Sequence, residues 1–237
     1  MIGQEQFMHN LHILRKRIND ACSLCGRDLE EVRLLPVTKN WSVSAVEYCR
    51  DAGLFGVGEN RVQEAREKRD QISGVDWELI GHLQSNKVNQ AVGIFSRIQT
   101  LDSIKLIKKV QVAAERIDQK TKVLLQVNAG NDPAKYGFSL ANVPAALEQA
   151  LGSSHLLVDG LMTIAPFAPD DPSVASTCFQ KLADLKNALE SSFAIKLREL
   201  SMGMSNDLKE AITCGSTMIR VGSALFGNRS RKGFYER

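Results

Sequence analysis

The 237-residue sequence is short of several things, and each shortage excludes a class of protein. Aromatic residues make up 6%, and 30 Lys plus Arg stand against 27 Asp plus Glu for a surplus of only +3. With no basic stripe and few rings to stack on bases, a nucleic-acid partner is not expected. No stretch of about 18 residues is free of charge, so no membrane-spanning helix is expected either. The opening MIGQEQFMHNLHILRKRIND carries its charges inside the segment and not ahead of an apolar run, which predicts an unprocessed cytoplasmic protein. The five cysteines, Cys22, Cys25, Cys49, Cys178 and Cys214, are odd in number and irregularly spaced, so reduced thiols are expected. What is left, 43% apolar and 24% charged residues, is an ordinary globular composition at a length that folds without staples.

Residues 3–25 place Phe7, Leu11, Leu14, Ile18 and Cys22 on one helical stripe, which predicts an amphipathic N-terminal helix. Short apolar runs then alternate with helix-period segments. VRLLPVTK precedes residues 42–52, LFGVGE precedes 60–71, WELIG precedes 85–92 and FSRIQTLD precedes 103–118. TKVLLQVNAG precedes 143–151, HLLVDGLMT precedes 173–191, LRELSMG precedes 207–213, and TMIRVGSALFG leads into the C-terminus. About eight units of roughly 25 residues favour a (β/α)8 barrel over a doubly wound open sheet. No linker divides the chain, so residues 1–237 are read as a single domain.

Barrel chemistry sits where the strands end, which singles out Lys39, Glu59 with Asn60, His82, Asn128, Met162 with Thr163, residues 201–205 and residues 220–223. A strand-end lysine such as Lys39, partly desolvated, is a candidate Schiff-base former, and a solvated lysine is the plainer alternative. In the last two units Ser201-Met-Gly-Met-Ser-Asn-Asp207 runs straight into a helix, and Arg220-Val-Gly-Ser-Ala224 offers Gly222 for close backbone approach. Loops after the last two strands of barrels often hold a phosphate. The competing reading of SMGMSND is a helix cap on Ser205 or Asp207, with Glu210 completing a capping box. Cys22-Ser-Leu-Cys25 is a single C-x-x-C on the amphipathic helix, so zinc is not expected even with His9 and His12 upstream. Gly56-Val-Gly58 lacks the third glycine of a dinucleotide loop, and His155 opens a strand, where a structural role is expected.

Pro36-Val-Thr-Lys39, Phe55 to Glu64 (FGVGENRVQE), Trp77 to Lys87 (WELIGHLQSNK), Gly160-Leu-Met-Thr163, Leu200 to Asp207 (LSMGMSND) and Ile219 to Gly227 (IRVGSALFG) together resemble the pyridoxal phosphate homeostasis family, in its order. The resemblance implies a (β/α)8 barrel of the alanine racemase type, fold type III of the pyridoxal phosphate (PLP) proteins, preceded by an extra helix. It implies PLP held as a Schiff base on Lys39, with Ser205, Gly222 and Ser223 on its phosphate and Arg220 at the pyridine nitrogen. Asn60, His82 and Met162 would line the ring.

By the same resemblance the protein is a monomeric regulator of vitamin B6 pools without established turnover, serving PLP-dependent apoenzymes. A PLP-dependent racemase or decarboxylase acting on amino acids is the alternative. Such a racemase takes a second base from an added β domain, which the end of the chain soon after the eighth unit leaves no room for. Many family members carry a second lysine two residues after the first, where this chain has Trp41. Any relay of lysines would then fall to Lys135 and Lys232.

Overall fold

The computed structural model describes residues 2–227. Lys232 lies outside them. After α1 (Gln4–Leu24), β1 (Arg33–Pro36) leads to α2 (Val43–Asp51), β2 (Gly56–Glu59) to α3 (Val62–Arg69), β3 (Asp76–Leu79) to α4 (Val88–Ile94) and β4 (Arg97–Leu101) to α5 (Ile104–Arg116). β5 (Thr121–Gln126) leads to α6 (Val143–Leu151), β6 (Leu156–Met162) to α7 (Pro172–Phe193), β7 (Glu199–Ser201) to α8 (Leu208–Thr213) and β8 (Met218–Val221) to α9 (Ser223–Phe226). All eight strands pair in parallel in the order β1-β8-β7-β6-β5-β4-β3-β2. A bridge between Val37 and Gly58, with Thr38 N–H donating to Gly58 O at 3.0 Å, joins the two end strands. The sheet is therefore a barrel and not an open doubly wound sheet.

Alternation along each strand sends one set of side chains outward under the helices and the other into the barrel. Val57, Ile98, Val123 and Ile219 belong to the continuous apolar core that the helices cover. The inward set is polar to an unusual degree for a barrel, whose interior is ordinarily Val, Ile and Leu. Arg33, Glu78, Arg97, Asp159 and Glu199 form an ionic layer there. Arg33 Nη2 donates to Glu78 Oε1 at 2.5 Å, and Arg97 Nε and Nη2 donate to Asp159 Oδ2 at 3.1 and 2.8 Å. Arg97 Nη1 lies 3.5 Å from both Glu78 and Glu199. Burial alone would lower the Arg97 pKa; Glu78, Glu199 and Asp159 outweigh it and raise it.

The predicted stripe of α1 is buried as expected: Phe7, Leu11, Leu14, Ile18 and Cys22, together with Ala21. Each large apolar side chain so buried contributes roughly 1.5–3 kcal/mol. Phe7 stacks on Phe226 at 5.5 Å, Asn10 Nδ2 donates to Leu225 O and Arg17 Nη2 donates to Ser205 O, both at 2.9 Å. The extra helix thus fastens the loop after β7 and the short helix α9 from outside. Among the described residues no helix is long and apolar enough to cross a membrane.

Several boundaries differ from the sequence expectation for local reasons. The last run does not continue as a strand: after Val221 the chain turns at Gly222, whose carbonyl accepts from Leu225 and Phe226 N–H, and SALF becomes α9. β1 stops at Pro36, so Lys39 lies beyond the strand in a turn closed by Trp41 N–H to Thr38 O at 3.1 Å. The segment expected as a helix from residue 85 opens with a 3-10 turn, Ser85–Lys87. Asp207 stands at the N-cap of α8, but its carboxylate accepts from Met204 N–H at 2.5 Å, behind the helix, and makes no capping bond to the first turn. Asp207 therefore takes the expected N-cap position of α8, and the capping box with Glu210 does not form.

All five cysteines are free thiols, with Cys22, Cys49 and Cys178 buried and Cys25 and Cys214 half-buried. Burial pushes the Cys49 thiol up to about 12 and raises Cys178 as well. A maleimide added to the native protein at neutral pH is expected to modify Cys25 and Cys214 first. Mass mapping that finds Cys49 labelled as fast as Cys25 would contradict this.

Candidate functional site

The expected site residues lie at or beyond the carboxyl ends of their strands, on one rim of the barrel. β8 lies between β7 and β1, and this order brings three loops into one arc. Ser223 Oγ donates to Ser205 Oγ at 3.3 Å, linking the turn after β8 to the loop after β7. On the other side, a Cβ on Gly222 would stand 3.3 Å from Val37 O, so this backbone approaches the β1 chain two residues before Lys39. Ser205, Ser223, Gly222 and the Lys39 turn are therefore contiguous.

The loop after β7 is shaped by Gly203, which the sequence reading did not single out. Its φ is +95°, and a Cβ there would meet Ala211 Cβ at 2.4 Å and Ile219 Cδ1 at 2.9 Å. Only glycine combines that left-handed backbone with that closeness. Asp207 and Arg17 then fix the tip, through Met204 N–H and Ser205 O.

Arg220, one residue before the end of β8, points into the barrel. It is 4% exposed, Nη1 donates to Ser201 Oγ and Nη2 to Thr163 O, both at 2.8 Å. Both partners are neutral, and among the described residues no carboxylate pairs with it directly. Burial lowers its pKa to about 10, with Asp207 opposing, so it remains a cation at neutral pH. Beneath it Ser201 Oγ donates to Gln99 Oε1 at 2.6 Å, and Gln99 Nε2 donates to Glu78 Oε2 at 2.7 Å. Every donor in this chain faces Glu78, which leaves the Ser201 oxygen to accept from Arg220. Sequence reasoning missed Gln99 and Glu78. The signal that would have found them is polar residues at every second position of apolar runs, as in R-I-Q and W-E-L.

His82 stands three residues past β3. Its Nδ1 is 2.9 Å from Asp102 Oδ2 at the end of β4, and its ring stacks on Tyr136 at 4.0 Å and 15°. Tyr136 belongs to the same loop as Lys135, which Asn128 holds: Asn128 Nδ2 donates to Asp132 O at 2.8 Å and its Oδ1 accepts from Asp132 N–H at 3.0 Å. Asp102 and Tyr136 were not anticipated. Asn60 is half-buried, its backbone carbonyl so near Gly81 that a Cβ there would lie 2.3 Å away. Met162 is fully buried, its carbonyl accepting from Val127 N–H at 2.8 Å. Trp41 packs its ring 5.9 Å from Phe226.

Glu59, at the end of β2, is fully buried, and its Oε1 accepts from Thr38 Oγ1 at 2.6 Å and Lys68 Nζ at 2.7 Å, while Oε2 has no hydrogen-bond partner among the described residues. Burial pushes this carboxyl above the usual carboxylate range, with Lys68 and Thr38 opposing.

A parallel barrel with a lysine turn, paired serine loops and a buried arginine on one rim defines a class, and the alanine racemase N-terminal domain family matches residues 2–230. Within it the chain belongs to the pyridoxal phosphate homeostasis proteins. It is 35% identical over 216 residues to that of Aquifex aeolicus, covering 90% of this chain and 94% of the relative. It is 34% identical over 227 residues to that of Haemophilus influenzae, covering 94% and 95%. Among solved structures, PipY of Synechococcus elongatus with PLP bound superposes with a TM-score of 0.79 at 34% identity, over 89% of this chain and all (100%) of that one. Alanine racemase of Clostridium difficile shares the fold, with a TM-score of 0.78 at 15% identity, over 98% of this chain and 59% of the enzyme.

Proposed function

We propose that this chain acts as one barrel domain that binds PLP in intracellular vitamin B6 homeostasis, holding it as a Schiff base on Lys39. The relatives' names and the PLP-bound PipY support the cofactor. The observation that carries the reading is the arc in which the Lys39 turn, Gly222, Ser223 and Ser205 are contiguous beside a buried cation.

The residues fit a phosphorylated aromatic aldehyde. The Ser205 and Ser223 hydroxyls and the Gly222-Ser223 backbone supply donors for phosphate oxygens. PLP, when bound, supplies an aldehyde for amines and a ring that draws electrons through its nitrogen. Arg220, still charged at neutral pH and unable to accept a proton, would keep that nitrogen unprotonated and so weaken the electron sink. Asn60, His82 and Met162 are assigned to the ring faces. The protein is read as a cytoplasmic monomer that passes PLP to PLP-dependent apoenzymes, with Lys135 beside Tyr136 at the rim.

The racemase or decarboxylase reading rests on the shared fold with alanine racemase. The two separate on turnover. Amino acids added to the PLP-loaded protein are expected to alter its visible spectrum or release PLP without being consumed. Steady conversion of L-alanine or another amino acid at about 1 s⁻¹ or more, lost in Lys39→Ala, would establish an enzyme instead.

A further inference from the structure

Lys68 is a buried lysine, with only 7% of its side chain exposed. Such burial costs desolvation energy that an apolar residue would avoid, and it persists where the charge organises something. Its Nζ donates three bonds: to Thr38 O at 2.7 Å, to Glu59 Oε1 at 2.7 Å and to Glu64 Oε1 at 2.8 Å. If its work were only to tie α3 to β2, the bond to Glu59 would suffice. The other two lead elsewhere. Thr38, held at its carbonyl by Lys68 and at its hydroxyl by Glu59, immediately precedes Lys39. Asn40, which immediately follows Lys39, donates its N–H to the same Glu64 oxygen that Lys68 holds. Asn40 is also in the left-handed region, φ 60°, which asparagine tolerates when the surroundings fix it.

We propose that Lys68 is the positioning residue for Lys39, clamping the peptide on both sides of it through Thr38 and the Glu64–Asn40 contact so that its amine is presented at a fixed point on the rim. The proposal rests on the reading of Lys39 as the attachment point. Attachment forms one C=N bond between the Lys39 nitrogen and the aldehyde carbon and releases water, so its rate depends on where that nitrogen is held. Binding of the phosphate end does not.

The test uses two ligands on the full chain. Pyridoxine 5'-phosphate has the ring and the phosphate but no aldehyde, and reads the pocket alone; PLP reads the pocket and the attachment. In Lys68→Met the affinity for pyridoxine 5'-phosphate is expected to stay near wild type while the rate of PLP attachment falls roughly ten- to a hundredfold, the scale of a small misplacement of a reacting group. Lys68→Arg should recover part of the rate. Glu64→Leu removes the Asn40 contact at a partly exposed position and should slow attachment in the same way, so the proposal stands or falls even where Lys68→Met does not fold. Attachment at the wild-type rate in either folded variant, or a loss matched by an equal loss of pyridoxine 5'-phosphate affinity, overturns the role of Lys68. Borohydride mapping of the wild-type protein to another lysine overturns the reading of Lys39 itself, a separate result.

Discussion

Replacing Arg97 by methionine is expected to cost about 3–5 kcal/mol of folding stability, the range for removing one partner of a buried ion cluster. Arg97 is the common cation of Glu78, Asp159 and Glu199 inside the barrel, and Glu78 is 3% exposed. Methionine fills much of the space but answers none of these charges. Among the carboxylates of the cluster Arg33 reaches Glu78 alone, so Asp159 and Glu199 would lose their cation, Glu199 keeping only the Thr217 hydroxyl. For a chain of this size the loss corresponds to a fall of about 10 °C in Tm. Urea titrations at neutral pH check this; a deficit below about 1 kcal/mol would show the cluster to be no more than an exposed ion pair in energy.

A bulky residue at Gly222 is expected to weaken PLP roughly ten- to a hundredfold while affecting unphosphorylated pyridoxal much less. The factor corresponds to about 1.5–3 kcal/mol, the value of one hydrogen bond to a charged group. Gly222 lies against Val37 and opens the turn whose next residue, Ser223, meets Ser205. A side chain there must move the backbone away from Val37 or fill the approach to the hydroxyl pair. Parallel titrations of the Gly222→Leu variant with PLP and with pyridoxal read the difference. Equal losses for both ligands would move the phosphate off these loops.

Much of the barrel was legible because each unit repeats one pattern, an apolar run followed by a helix-period segment. α6 falls on residues 143–151 as expected, and the stripe of α1 is buried as read. The strand ends were read less closely: β1 stops at Pro36, three residues before Lys39. What escaped was the inside of the barrel. Glu78, Gln99 and Arg97 lie within runs whose apolar neighbours drew attention, and their partners are far along the chain, so only the closed sheet brings Gln99 to Ser201 or Arg97 to Glu199. Lys68 was hidden in the same way. On α3 it reads as one more charge on a solvated helix, and its burial depends on Glu59 and Thr38 reaching it from two other elements. Asp207 takes the N-cap position of α8 without a side-chain capping bond because Met204 N–H takes its carboxylate, a competition that residue spacing does not reveal.

The central claim is that Lys39 carries PLP on this rim, and borohydride reduction tests it most directly. The purified protein is loaded with PLP, reduced, digested and mapped by mass spectrometry, with Lys39→Ala run beside it. A yellow preparation that bleaches on reduction, with one pyridoxyl group on the peptide containing Lys39 and none retained by Lys39→Ala, is the predicted result. A pyridoxyl group fixed on Lys68, Lys135 or any other lysine while Lys39 stays unmodified would contradict it.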